Sequence, residues 1–470
     1  MKQGFEQLKA FVSRVREFVE RAQLRDDLAQ FSCSMESSFE IVSALHSGRR
    51  HSKAPAQEGW IFVTQFSGRF SNGSALSLTY TGQSIEEFVR CYREARELSR
   101  TLKHQPRIEK HAEYPRVPLV SEELLAILED PQGTKRVDEL ALFLDSLAAR
   151  VEHPRLMSRE VRAVLSGNHR VYFDAAGNYA DESSTACDIS VSYMLTDSIE
   201  FHSDSFGRLP NLHDLESVVA DASRNLTEHH AHDFQHSAEA AVVLTPKALF
   251  TLFAEVVFPN LSARTILDGT GAWGLSDLGN VVLSGVTVRD NPLVEFSPFS
   301  RLFDCEGTPA SSISVLKEGR LAHPLLTASL LAELLSAEAD SRDKYHLTGH
   351  AVGSAETSFT NVDIDIEGRM VASFEQLMAE VPLCVVVNNL TGSTVDSLTG
   401  QFALDAEGAR VYRDGKMAYS TSLTLRGNFF EAVAHAENFV GPKERVLNVL
   451  IPSLRTRLLS CVSRKMALEE

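Results

Sequence analysis

Leu252-Phe253-Ala254-Glu255-Val256-Val257-Phe258-Pro259 follows the strand-like run Ala241-Val242-Val243-Leu244, and together they read as a strand feeding an apolar helix. Glu255 is the only charged residue of that octet, with Ala254 directly before it and Pro259 four positions after it. A methyl group and a pyrrolidine ring offer no lone pair, so this run is not expected to hold a metal ion.

On the C-terminal side the pattern turns strand-rich, with glycine at the turns. Ser312 to Leu316 and Arg320-Leu321 flank Lys317-Glu318-Gly319; Val411-Tyr412 and Lys416-Met417 flank Arg413-Asp414-Gly415. Asp-Gly between strand-like runs signals a hairpin, because both central positions of the tight turn need positive φ. Thr421 to Leu425 alternates and stops at Gly427-Asn428, and a helix is expected around Ala328 to Leu335. On the N-terminal side, Thr227 to His236 is polar and unpatterned, which places a domain boundary there: 1–236 and 237–470.

The first half opens on an amphipathic helix, in which Phe5, Leu8, Phe11, Val12, Val15, Phe18 and Val19 recur at three- and four-residue spacing. Strands are predicted around Leu28 to Cys33, Phe39 to Leu45 and Trp60 to Phe66. Ser84 and Glu87 form a capping box opening a helix to about Leu98. Residues 103–120, with Pro106, Pro115 and Pro118, read as an irregular connection. Leu140, Leu144 and Leu147 suggest another helix. Strands follow at Val161 to Leu165, Arg170 to Asp174 and Asp188 to Leu195, then a helix from His213 to Ala222. The fold class is therefore α+β: an N-terminal layer of antiparallel strands with packed helices, hinting at an internal duplication, and a mostly-β C-terminal domain.

A chain of 470 residues suggests two cores. Lys and Arg total 46 against 63 Asp and Glu, a formal charge of −17, which repels phosphate backbones and argues against nucleic acid as a partner. No run approaches the ~18 apolar residues that span a bilayer, and Met1 to Glu20 lacks the apolar core of a signal peptide. The six cysteines are scattered without C-x-x-C spacing, so reduced thiols and a cytoplasmic location are expected.

Further motifs occur in a telling order. After the apolar octet come Arg289-Asp290-Asn291-Pro292 and Phe303-Asp304-Cys305-Glu306-Gly307-Thr308-Pro309. Then follow Leu398-Thr399-Gly400-Gln401-Phe402, Ala406-Glu407-Gly408, Tyr412 to Lys416 and Leu425-Arg426-Gly427-Asn428-Phe429-Phe430. This order resembles the TldD/TldE (PmbA) family of bacterial peptidases, over about Leu28 to Leu454. In the metal-binding branch of that family the helix carries H-E-x-x-x-H; here Ala254 and Pro259 stand at the histidine places, and only Glu255 matches. The family's zinc sites also take a cysteine from near the C-terminus; Phe439 to Leu450 has none, and Cys461 lies beyond the matching region. Cys305 stands where the family usually has a second Asp.

The resemblance implies a two-domain α+β fold, a cytoplasmic setting and a role in proteolysis. It implies a metal-less, TldE-like subunit, with zinc in a TldD-like partner and an extended unfolded or leader peptide as substrate. Asp290, Asn291, Asp304, Glu306, Gly307, Gly400, Gly427 and Asn428 are then structural or interface residues, the carboxylates capping turns and the glycines supplying positive φ. His232 and His236, four apart with Asp233 between, could bind a metal adventitiously, although a solvated linker is the simpler reading of an unpatterned segment. Cys305 has acidic neighbours, which oppose its thiolate and argue against a nucleophile. Two alternatives stay open: a family-derived enzyme of peptide or small-molecule natural-product maturation, with a site relocated to Glu255, Asp304, His323 and His350, or a homodimeric scaffold.

Overall fold

A computed structural model of the chain describes residues 2–47, 49–50, 57–101, 110–111, 113–196, 199–223, 226, 240–337, 344–353, 356–379 and 381–463. The chain divides into two compact units. Unit one comprises Met1–Ala222, Pro292–Ser311 and Leu326–Thr360; unit two comprises Ser223–Asn291, Ser312–Leu325 and Asn361–Glu470. Sequence beyond position 236 thus contributes to both, and the compact units do not follow from a single cut in the chain.

Unit one is built on an antiparallel sheet. Its strands are β1 (Leu28–His46), β2 (Arg49–Arg50), β3 (Gln57–Phe70), β4 (Ser74–Thr81), β5 (Arg100–Thr101), β6 (Leu156–Asp174), β7 (Tyr179–Leu195) and β8 (Ile199–Phe206). The order is β5-β4-β3-β1-β6-β7-β8, with β2 on the end of β1. β1 and β6 lie at the centre, antiparallel from Ser32 opposite Asp174 to His46 opposite Glu160. Outward from this pair each half runs long strand, long strand, short strand, which gives the hinted duplication a structural form.

The separate strands predicted at Leu28–Cys33 and Phe39–Leu45 are one strand, as are those at Val161–Leu165 and Arg170–Asp174. The polar residues between them do not interrupt the strands: Ser34, Glu36 and Ser38 occupy the alternate face, and Ser37 and His169, paired across the strands, are buried on the apolar side. Cys33, Met35, Ile41 and Ser43 share one side of β1 and are buried, whereas Glu36, Ser38 and Glu40 on the other side are half-buried.

The helices cover the apolar side: α1 (Lys2–Asp26), α2 (Ile85–Glu97), α3 (Glu122–Glu129), α4 (Gly133–Ala148) and α5 (Leu212–Ser223). Leu8, Phe11, Val15 and Val19 of α1 enter one core with Cys33, Met35, Phe66, Phe88 and Tyr92. α4 packs on β1 and β6, where the Ser43 hydroxyl donates to Asp138 Oδ1 at 2.7 Å and Arg159 forms an ion pair with Asp145 at 2.8 Å. Sequence patterning missed α3, which Ser121 caps through the amide of Leu124. Of the connection 103–120, residues 110–111 and 113–120 carry no regular structure; 103–109 and 112 lie outside the described residues.

The capping box at α2 forms with an added member. Ser84 Oγ accepts from the Glu87 amide at 3.3 Å, while the Ser84 amide donates to the Tyr80 hydroxyl at 3.1 Å and that hydroxyl donates to Glu87 Oε2 at 3.2 Å. Tyr80 therefore bridges a gap that the glutamate alone would span in the two-residue motif.

Unit two holds a mixed sheet. Its first strands are β9 (Ala241–Leu244), β10 (Val286–Asp290), β11 (Ile313–Lys317), β12 (Arg320–Leu321), β13 (Val362–Ile366), β14 (Arg369–Met370) and β15 (Leu383–Val387). The remainder are β16 (Asn389–Asp396), β17 (Gln401–Arg413), β18 (Lys416–Asn428), β19 (Phe439–Val446), β20 (Val449–Thr456) and β21 (Ser460–Ser463). Along the main path the order is β12-β11-β10-β13-β20-β9-β15-β17-β18-β21. Both predicted hairpins are present, with Glu318-Gly319 and Asp414-Gly415 all at positive φ. The wholly buried β9 lies between parallel β15 and antiparallel β20, which explains its unbroken apolar sequence.

Two expectations follow. A Cβ on Gly207 would lie 1.6 Å from the Phe296 carbonyl oxygen, whereas Gly177, at φ +82°, faces open space. Gly207→Ala should cost about 3 kcal/mol and Gly177→Ala about 1 kcal/mol in urea denaturation, the first set by a backbone clash and the second by conformation alone. Tyr80→Phe should lower stability by about 1 kcal/mol; that loss should largely persist in a Ser84→Gly background, which keeps the backbone amide and Glu87, as a double-mutant cycle would measure.

Candidate functional site

The apolar run is only partly an α-helix. Thr245 caps it, its hydroxyl accepting from the Ala248 amide at 3.5 Å and donating to Asn388 Oδ1 at 2.8 Å. Pro246 begins it, where a missing N–H costs nothing, and α-helix continues to Leu252. Phe253–Val257 then widens into a π turn, in which the Phe258 amide bonds to the Phe253 carbonyl, and Phe258–Leu261 tightens into a 3₁₀ turn. Pro259 supplies the cause: it has no N–H for the carbonyl four residues back, and its ring clashes there. The expected continuous helix is corrected accordingly.

Ala254 is half-buried and both Glu255 and Pro259 are exposed, while Leu252, Phe253, Val256 and Val257 are fully buried. These positions do not fit a zinc ion, since only Glu255 carries a donor atom and the helical geometry that would align ligands is broken. Among the described residues no group of three or more His, Cys, Asp or Glu is arranged to hold a metal. Cys461 is buried in β21, and His232 and His236 lie outside the described residues.

The structure joins this turn to the C-terminal motifs. Phe253 meets Phe429 edge to face at 5.4 Å, and the Asn260 amide donates to the carbonyls of Val256 and Ser397, each at 2.7 Å. Gly400, at φ +75°, has no room for a Cβ against the Phe430 ring and Asn428 Oδ1. Its carbonyl accepts from the Phe429 amide at 2.7 Å, and Asn428 donates to the Thr399 carbonyl at 2.9 Å while capping Phe429–Val433. A Cβ on Gly427 would press Leu459.

Asp290, read from sequence as part of a turn, is instead the buried last residue of β10, opposite Val362 and Ile313. The turn begins after it. Asn291 exchanges backbone and side-chain bonds with Asn361 and accepts from Ser312 at 2.7 Å.

The acidic turn belongs to unit one. Asp304 is completely buried; Oδ1 accepts from the amides of Glu306 and Thr308, each at 2.9 Å, and Oδ2 from the amide of Ala351 at 3.0 Å. Burial raises its carboxyl above the usual range, against the pull of those three amides. Gly307, at φ +76°, leaves no space for a Cβ beside the Tyr172 ring. Glu306 Oε2 accepts from the Ala328 amide at 2.7 Å at the start of helix Ala328–Ala337, and burial with the neighbouring Asp304 pushes its carboxyl up to about 8. Burial likewise raises the Cys305 thiol, so the acidic neighbours are a second influence rather than the first.

Of the residues proposed for a relocated site, Asp304 and His350 fall in unit one, and Glu255 and His323 in unit two. An exposed Glu255 does not suit a dry pocket.

Sequence reading missed one arrangement, on the polar face of the unit-one sheet. Arg170 of β6 donates to Glu36 Oε2 and to the Phe303 carbonyl, each at 3.3 Å, and pairs with Glu182 at 3.3 Å. The nearby Leu302 amide donates to Glu182 Oε2 at 2.6 Å. The signal was present in the alternation Cys33-Ser34-Met35-Glu36, whose polar positions mark a second functional face.

A pH dependence follows from Glu306. Its folded carboxyl titrates higher than an unfolded glutamate, so the unfolded state releases its proton first and the contribution to stability falls as pH rises from about 4.5 to about 8. Glu306→Gln should flatten that slope in denaturation curves taken from pH 5 to 9, and a slope unchanged from wild type would contradict the assignment.

Residues 237–462 match the family model described as the PmbA/TldA metallopeptidase C-terminal domain. The chain is 31% identical over 199 residues to "Metalloprotease PmbA" of Escherichia coli O157:H7, a match covering 39% of this chain and 40% of that protein's length. The fold is similar to that of a proposed modulator of a DNA gyrase from Thermotoga maritima, with TM-score 0.77, 18% identity, and 97% and 100% of the two chains covered. It is also similar to TldE from Thermococcus kodakarensis, with TM-score 0.76, 16% identity, and 96% and 100% covered. The two structural likenesses speak to fold, and the sequence matches to descent. On these grounds residues 237–462 belong to the PmbA/TldA metallopeptidase C-terminal domain family, and the chain as a whole has a TldE-like fold.

Proposed function

We propose that this chain is the non-catalytic, TldE-like subunit of a zinc-dependent peptidase. It pairs with a TldD-like subunit that holds the zinc, and it completes the chamber that admits an extended, unfolded or leader peptide. The observation that carries this reading is the residue content of the apolar turn. Ala254 and Pro259 supply no ligand, Pro259 ends the α-helix on which ligands would align, and the exposed Glu255 has no metal-bound water to activate. Backbone pairing with an extended peptide would make recognition tolerant of sequence.

A cytoplasmic setting suits the six free cysteines. No helix among the described residues is long and apolar enough to cross a membrane. The net charge of −17 supports a protein partner over nucleic acid.

The test expresses the chain alone and together with a zinc-binding family member, then measures zinc content and cleavage of an unstructured peptide. The isolated chain should hold less than about 0.1 zinc per molecule and cleave nothing, and the pair should co-elute and cleave. Glu255→Gln should leave cleavage by the pair within about two-fold of wild type, because no transition-state contact is removed. Stoichiometric zinc with peptidase activity in the isolated chain would overturn the reading.

A further inference from the structure

The polar face of the unit-one sheet carries a cleft of about 130 Å³, lined by Ser34, Glu36, Gln65, Arg170, Arg301 and Cys305 among others. All of its walls belong to unit one. Ser34 lines the cleft with only 6% of its surface exposed, and its hydroxyl makes no side-chain hydrogen bond among the described residues. Gln65 gives one N–H to the Val352 carbonyl at 3.2 Å, and its carbonyl oxygen has no partner among the described residues. Arg170 meets three acceptors, on Glu36, Glu182 and Phe303, with five N–H groups to place. Arg301 donates to the Ser358 hydroxyl at 2.9 Å and presents a second guanidinium to the same cleft.

The lining offers two guanidinium groups, of Arg170 and Arg301, and one carboxyl group, of Glu36, so the cleft has a cationic side and an anionic side. A cavity of about 150 Å³ accepts one benzene ring, so this volume suits an amino-acid unit with a small side chain rather than a large aromatic one.

We propose that this cleft binds a small α-amino acid unit, free or as the C-terminal residue of a peptide, with its carboxylate on Arg170 and Arg301 and its nitrogen on Glu36. Ser34 and Gln65 supply the remaining hydrogen bonds. The site is independent of the subunit reading, since it requires neither zinc nor a partner chain, and it stands or falls by ligand binding rather than by cleavage.

The test titrates the full chain calorimetrically with glycine, L-alanine, Gly-Gly, Gly-Gly amide and L-phenylalanine. Saturable one-to-one binding is expected for at least one of the first three, and it shows whether the free amino acid or the peptide end is preferred. Gly-Gly amide should bind about ten-fold or more weakly than Gly-Gly, and L-phenylalanine should not bind. Arg301→Met should weaken every carboxylate ligand about ten-fold, and Glu36→Gln should weaken free amino acids more than Gly-Gly. If Arg301→Met does not fold, the comparison of acid and amide on the wild-type chain decides. Absence of binding by glycine, L-alanine and Gly-Gly at millimolar concentration, leaving a cleft filled with water only, overturns the proposal. So does equal binding of acid and amide.

Discussion

Unit one depends on a single pairing, that of β1 with β6 from Ser32–Asp174 to His46–Glu160. A strand pair at the centre of a sheet must satisfy two surroundings at once, because successive side chains leave on opposite sides. On one side Cys33, Met35 and Ile41 enter the helical layer; on the other, Glu36 and Arg170 form a half-buried ion pair. A slip of one residue would exchange these sets, putting carboxylates against Phe11 and Phe88 and methyl groups into the polar cleft. Register here is therefore held from both faces, more tightly than a sheet with one indifferent side would allow.

Much of this architecture was legible from residues alone. Period-3.6 apolar spacing located α1, the Ser84–Glu87 pair located the start of α2, and Asp414-Gly415 located the β17–β18 turn. What escaped had a common cause: polarity at alternate positions was taken as interruption. Ser34, Glu36 and Ser38 divided one strand into two on paper, and the same residues form the face that holds the cleft. The division into units escaped for a different reason. Segments Pro292–Ser311 and Leu326–Thr360 join unit one through contacts far away in sequence, and no local pattern announces a long-range partner. Helix α3, eight residues long, is too short to show a period.

The candidate site was legible in its residue types more than in its shape. That Ala254 and Pro259 lack donor atoms needs no coordinates. The π turn at Phe253–Val257 does, since it arises where the carbonyls before a proline must find other partners, and the result also depends on how Val256 and Val257 pack. Asp304 is another case of chemistry read correctly but placed incompletely. Turn capping was expected; a carboxylate wholly enclosed by three amides, one of them from Ala351, was not visible in a string of neighbours.

The interleaved course of the chain has a consequence for biogenesis. The segment bearing Asp304 leaves the ribosome well after β1 to β8, so the early sheet waits with its charged side uncovered while the intervening stretch is made. Contacts of such wide sequence separation slow folding, because loop closure must precede the interactions that reward it. Arg170, Glu36 and Glu182 keep that waiting surface hydrophilic and poorly adhesive, whereas an apolar face in the same position would invite association between nascent chains. The ionic character of the inner face thus serves the newborn polypeptide before it serves the finished one.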